Sequence, residues 1–348
     1  MTLEAGSAAA AAKRSVVEGA APRVSLTRPR RVGERAVEAL LRIATVISGA
    51  FILLVAAYVL VRGVPALFEY GWGFLLQGGW DGDLEAAWSE PASVAFGARP
   101  LIAGSLLSTT MALAAAVVIG TGAAIVITEL APPQLRRPFE AIIQLLAGIP
   151  SIVFGLVGFT ILVPLVSLRV VPANAFDEVP NIPFDGQSLL TAVIVLTFMI
   201  VPFYVSVAVD SLRAVPRPLL DGGRALGMSR WRVIRQIQIP VAFPGLVAGA
   251  MLSSARAIGE AIALSMVAGA LALTPSLSNG PLYFLLTPIR TMASAIVETG
   301  GEAMSIPSIA SALFALAALL LIASLVLSSI ARIAFVMSAR KVDASQGR

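Results

Sequence analysis

DSLRAVPRPLLDGGRALGMSRWRVIRQIQIP, residues Asp210–Pro240, is far longer than a simple connection between two membrane-spanning helices needs to be. Pro216 and Pro218 stand where a helix can start, because the missing N–H of proline costs nothing in a first turn. Leu219, Leu220 and Leu226 give that helix an apolar side. Gly227 then marks a turn, since glycine accepts backbone angles other residues resist. Ser229 is placed to cap a second helix through Trp231, Val233, Ile234 and Ile237 that ends at Pro240. The reading is a helix–turn–helix carrying six arginines, too much charge for the whole elbow to lie in lipid.

The surroundings are of a different composition. Of 348 residues, 57% are hydrophobic and only 13% charged, against roughly 25% charged in soluble domains. A helix needs about 20 apolar residues to cross the hydrocarbon core. Charge-free windows of that length run over 43–61, 100–128, 141–168, 186–209 and 303–331, and a sixth, 241–269, is interrupted only by Arg256 and Glu260. The expected fold class is all-α, a polytopic membrane protein with six spans and both termini on one side. With that side inside, inner segments hold 20 lysines and arginines and outer segments 4, the distribution the positive-inside rule demands. The net charge of +5 therefore reports membrane topology and contact with lipid, and no nucleic acid is expected. The domain reading is a basic cytoplasmic tail over 1–38, disordered; a first span and outer loop over 39–99; a transport core over 100–335 containing the 210–240 elbow; and a cytoplasmic tail over 336–348.

Absent residues exclude chemistry. Without cysteine or histidine there is no thiolate, no zinc–cysteine site and no histidine base, so no catalytic residue and no metal site is expected. An enzyme acting on lipid phosphates would have to work without either. The only lysines, Lys13 and Lys341, follow Ala12 and Arg340, whereas a P-loop places glycine directly before its lysine. The chain has no nucleotide-hydrolysing loop of that type.

Asp221-Gly222-Gly223, three residues, Gly227, nine residues, Ile237-x-Ile239-Pro240 resembles the EAA loop of ABC importer permeases, E-A-A-x3-G-x9-I-x-L-P, with D-G-G in place of the triplet and isoleucine in place of leucine. Residues 145–159 (LLAGIPSIVFGLVGF), 253–270 (SSARAIGEAIALSMVAGA) and 291–298 (TMASAIVE) are similar to permeases of phosphate importers, the PstC/PstA kind. The long first outer loop with GWGFL at 71–75 leans toward the PstC side. The resemblance covers roughly residues 40–335. It implies a type I ABC importer permease fold in the bacterial cytoplasmic (inner) membrane, with Asp221, Gly222, Gly223, Gly227, Ile237 and Pro240 in the loop that docks on an ATPase. It further implies a PstA-like second permease, a PstB-like ATPase dimer carrying the ATP and magnesium, and an extracytoplasmic PstS-like binding protein. No cofactor is expected in this chain. Another oxyanion (sulfate, molybdate, phosphonate) or secondary anion transport stays open at this point, although no matched broken helices mark two inverted halves.

One ionisable pair lies inside a span. Arg256 and Glu260 are four residues apart, so on a continuous helix they share a face and can pair. Charge at that depth is costly and persists where it faces a bundle interior or water. Either the pair pins helices together, or Arg256 offers its planar fork to a passing oxyanion while Glu260 holds it; the phosphate-permease resemblance implies the second. Gly245, Gly249, Ser253, Ala257 and Ala261 recur every fourth residue, a pattern for close helix packing that with Arg256 also suits a pathway wall. Gly148 and Pro150 interrupt the third span, and the half-helix starting at Ser151 offers free amides to an anion. In the outer loop, Phe68, Tyr70, Trp72, Phe74, Trp80, Trp88 and Phe96 read as interface anchors, and Glu69, Asp81, Asp83, Glu85 and Glu90 as an acidic face for a partner.

Overall fold

A computed structural model describes residues 32–89, 95–180 and 182–346. The tail over 1–31 and Glu90 lie outside the described residues. Among the described residues every regular element is helical, and six helices are long and apolar enough to cross a membrane.

Helix α1 (Val32–Leu76) begins inside the segment read as a tail, so the first span's helix starts earlier than expected. The chain divides into two compact units at Ala56. In the first, the large apolar side chains described, including Leu40, Ile47, Phe51 and Leu54, are exposed, as a lipid-bathed helix requires. The second unit, Ala57–Arg348, holds everything that follows.

The first outer loop is more structured than its sequence suggests. Within the second unit α1 continues to Leu76, bent at Gly71 (φ 61°), and is followed by α2 (Trp80–Ser89). Phe74, Trp80 and Phe96 are core residues, each at most 1% exposed, with the Trp80 and Phe96 rings 5.2 Å apart. The interface-anchor reading is thus wrong for these three and compatible only with Phe68, Trp72 and Trp88, which stay exposed. Asp83 is half-buried: it accepts the Gly97 N–H at 3.0 Å, and burial pushes its carboxyl above the ordinary 3.8.

Next come α3 (Arg99–Ile125), whose last turn extends to Leu130, and α4 (Pro133–Ala147). The third span is shorter than its charge-free window. Gly148 ends α4, Pro150 cannot donate a hydrogen bond, and a separate helix α5 (Ser151–Arg169) does the crossing. Helix α6 (Leu189–Arg213), capped by Ser188, is the centre of the bundle: 61% of its apolar window is buried, more than in any other described span. Gly120 of α3 lies so close that a methyl group there would sit 2.4 Å from the Tyr204 ring, while Thr121 and Tyr204 share a hydrogen bond of 2.7 Å. In lipid there is no hydrophobic gain from helix association, so such close approach supplies the packing energy.

The elbow helix α7 (Arg217–Ala225) precedes α8 (Arg230–Ile258). The second elbow helix does not end at Pro240. A wider turn over Ile234–Gln238 absorbs the missing proline donor, and the helix runs on as the fifth span. That span stops at Ile258, earlier than expected; α9 (Ile262–Val267) is separate. Two further short helices, α10 (Pro281–Leu286) and α11 (Met292–Thr299), lead to α12 (Pro307–Gln346), which includes the last span. Arg213 of α6 pairs with Glu140 of α4, joining the 131–150 and 214–229 connections, while Asp81 of α2 bonds Arg290 between spans five and six. Alternate loops therefore gather at opposite ends.

Candidate functional site: an elbow, a lone guanidinium and an outer clamp

The elbow is folded as its residues dictate. Pro216 and Pro218 open α7, and Gly227 ends it at φ +79°, a left-handed conformation that costs about 1–2 kcal/mol for a residue with a Cβ. The Gly227 N–H reaches the Arg224 carbonyl at 2.9 Å and the Met228 N–H the Gly223 carbonyl at 3.1 Å, closing the helix end. Ser229 accepts the Arg232 N–H at 3.4 Å and starts α8. Gly223 is buried, and a methyl group on it would fall 2.6 Å from Cδ1 of Ile237. Glycine here is a packing requirement: it lets α7 fold back onto α8. Asp221 and Gly222 are exposed, Asp221 pairing with Arg224 at 3.1 Å. Leu226 (85% exposed) and Trp231 (60%) form an apolar tip.

Gln238, unnoticed in the sequence, fastens this elbow to the bundle. It is 2% exposed, and its amide donates to Glu129 at 2.7 Å and to the Leu212 carbonyl at 3.4 Å, linking the ends of α3, α6 and α8. Its partners lie 109 and 26 residues away, so spacing could not have revealed it.

The expected Arg256–Glu260 ion pair is not formed. The helix ends at Ile258, Gly259 turns the chain, and the one-face geometry stops with it. Glu260, 8% exposed, instead accepts the Ala263 N–H at 3.0 Å and stabilises the start of α9. Arg256 lies over the Phe203 ring of α6 with 4.1 Å from its guanidinium carbon to the centroid. Its Nε and the Ser253 Oγ, one turn earlier, are shielded and have no hydrogen-bond partner among the described residues. Phe203 was missed because nothing in sequence ties it to a residue 53 positions on. The small-residue stripe packs helices for its first two members: a methyl on Gly245 would strike Ser211 Oγ at 2.2 Å, and one on Gly249 would meet Val207 at 3.3 Å. Ser151 opens α5, whose Gly155 abuts Ala263 and Met266 of α9; among the described residues no hydrogen bond joins Ser151 to Arg256.

A buried ion cluster sits at the other end. Arg290, with 9% of its side chain exposed, reaches Asp81 at 3.2 Å and Glu298 at 2.6 Å. Asp81 also accepts the Ala272 N–H at 2.6 Å, so it takes part in an internal clamp while 37% of its side chain stays exposed. Burial raises the Glu298 carboxyl above its ordinary 4.5, with Arg290 opposing. The only trace in sequence was that Arg290 is the one basic residue of its outer segment.

This arrangement, six membrane-length helices with a folded elbow between the fourth and fifth, defines a solute-transport permease. The chain belongs to the family described as binding-protein-dependent transport system inner membrane component, whose model matches residues 116–343. It is 34% identical over 280 residues to the phosphate transport system permease protein PstC of Haemophilus influenzae, covering 77% of this chain and 84% of that protein. With PstC of Mesorhizobium japonicum it shares 32% over 327 residues, 91% of this chain and 96% of the relative. Among solved structures, a chain of a bacterial alginate ABC transporter, in complex with an alginate pentasaccharide-bound periplasmic protein, superposes with a TM-score of 0.51 at 14% identity, covering 87% and 96% of the two chains. That likeness concerns the fold, which is the ABC importer permease fold expected from the sequence.

Proposed function

We propose that this chain is a permease subunit of an ATP-driven phosphate importer, working beside a PstA-like second permease, a PstB-like ATPase dimer that binds ATP and magnesium, and a PstS-like binding protein outside. The observation that carries the reading is the near end-to-end match to phosphate permeases, 91% of this chain against 96% of one relative. The geometry supports the coupling half of it. The apolar tip of Leu226 and Trp231 stands exposed on an elbow that Gly223 and Gln238 hold rigidly against three spans. A push on that tip is transmitted to α3, α6 and α8 together. The elbow and both termini then face the cytoplasm, as the 20-to-4 distribution of basic residues requires.

Phosphate would pass Arg256, whose guanidinium has no carboxylate neutralising it among the described residues. Phe203 fixes its plane, and Ser253 supplies a hydroxyl one turn away. Glu260 contributes by shaping the break after Gly259 and not by holding the arginine. Reconstitution of the chain with its ATPase, second permease and binding protein in vesicles, followed by labelled phosphate uptake, tests this. Uptake that requires ATP, is competed by unlabelled phosphate more than by sulfate or molybdate, and falls to background in Arg256→Gln is expected. Uptake that survives without ATP and collapses with an ionophore would replace the reading with secondary transport.

A further inference from the structure

At the elbow end a cavity of about 500 Å³ opens between α7 and the bundle, a volume within the range of small-ligand sites. Its floor is apolar, with Leu212, Val215 and Leu220, and its walls carry five arginines, Arg136, Arg213, Arg217, Arg224 and Arg230. Only two acids share it: Glu129, held by the Gln238 amide, and Asp221, held by Arg224. Arg213 is engaged by Glu140, and Arg136 gives its Nε to the Ala131 carbonyl at 3.0 Å. Arg217 and Arg230 have no carboxylate partner among the described residues.

The positive-inside rule accounts for arginines somewhere in these loops, but not for their convergence. Arg136 comes from the connection after α3 and Arg217 and Arg230 from the elbow, yet all line one hollow. Arg213, Arg217, Arg224 and Arg230 stay exposed to solvent, which weakens but does not cancel the repulsion among like charges converging on one hollow, and an anion joining them relieves it. Guanidinium groups present forked donors that match tetrahedral oxyanions.

We propose that this cavity is a second anion site, distinct from the Arg256 pathway, taking one phosphate-class oxyanion between the elbow helix and the spans. Arg217 and Arg230 bind it from the elbow side and Arg136 from the bundle side. The shared chemistry is a phosphate group, supplied either free from solution or as an anionic lipid headgroup. Because the site stands on residues outside the Arg256 region, it does not depend on what the pathway carries.

The experiment uses the full chain in nanodiscs. In discs of phosphatidylcholine alone, equilibrium binding of labelled inorganic phosphate is compared for the wild type, Arg256→Gln, and Arg256→Gln carrying in addition Arg217→Gln/Arg230→Gln or the charge-keeping Arg217→Lys/Arg230→Lys. In a second arm, discs of phosphatidylcholine mixed with phosphatidylglycerol are used, and the lipid retained by the chain after delipidation is identified. A free-phosphate site predicts binding in the first arm that persists in Arg256→Gln and weakens about tenfold or more when Arg217→Gln/Arg230→Gln is added on that background, the lysine pair on the same background falling between. A headgroup site predicts no such binding but selective retention of phosphatidylglycerol, lost in the same glutamine variant. Unchanged melting of the variants shows that the fold is intact. If adding Arg217→Gln/Arg230→Gln to Arg256→Gln changes neither phosphate binding nor phosphatidylglycerol retention, the proposal is overturned.

Discussion

Replacing Arg290 by methionine tests whether the outer clamp is a charge device or a passive contact. The substitution keeps most of the side-chain volume but strands two carboxylates, Asp81 and Glu298. Asp81 is 37% exposed and keeps the Ala272 N–H at 2.6 Å, so its loss is small. Glu298 is 21% exposed, and Arg290 is its only ion-pair partner among the described residues. Removing one member of a buried pair costs about 3–5 kcal/mol; the partial exposure here points to the lower end, about 3 kcal/mol, or roughly 6–12 °C in melting temperature. The sign with pH follows from Glu298. Its folded-state affinity for protons is raised above the ordinary 4.5 by burial, and removing Arg290 raises it further. The folded state then holds a proton the unfolded state releases, so stability falls as pH climbs from 4.5 through the raised value. The deficit of Arg290→Met should be small at about pH 5 and grow toward neutrality. Adding Glu298→Gln removes the stranded charge and should recover about half of the neutral-pH loss. Melting followed by tryptophan fluorescence reads this directly, because buried Trp80 adjoins Asp81. A variant that melts with the wild type, with no dependence on pH, refutes the reasoning.

Phe203→Leu removes the aromatic face under Arg256 and about 0.5–2 kcal/mol of cation–π attraction; uptake by the reconstituted complex should fall several-fold, and normal uptake would show that Arg256 needs no such support. Gly227→Ala places a Cβ at φ +79° in open space, so the loss is conformational, about 1–2 kcal/mol, and should appear as weaker ATPase coupling with the complex still assembled. Gly104→Ala would set a methyl 2.4 Å from the Arg290 backbone carbonyl, which cannot swing away; a sharply lowered yield of folded protein is expected, and ordinary expression and melting would contradict the close approach. Acid should release Glu140 from Arg213 only below the ordinary 4.5, since that pairing depresses the Glu140 carboxyl; Glu140→Gln should therefore lose stability relative to the wild type near neutral pH and match it in stronger acid, as melting curves will read.

Composition and periodicity by themselves determined that this chain crosses a membrane six times and which loops share a side, because apolar length and charge placement are local quantities that lipid reads directly. They also determined the elbow: prolines, Gly227 and Ser229 act on their own backbone and needed no distant partner. What tertiary structure decided was everything that joins remote residues. Arg256 and Glu260 looked like one pair on one helix, but the helix ends between them, and each found a different partner, Phe203 and the Ala263 amide. The outer aromatic residues looked like membrane anchors until Trp80 and Phe96 packed on each other. Gln238 carried no local signal, since its partners lie 109 and 26 residues away, and half of the Arg290 clamp, Asp81, lies 209 residues from it. A sequence specifies such contacts only through the shape of the assembled bundle, where close approach permitted by Gly120, Gly223 and Gly245 sets which side chains can meet.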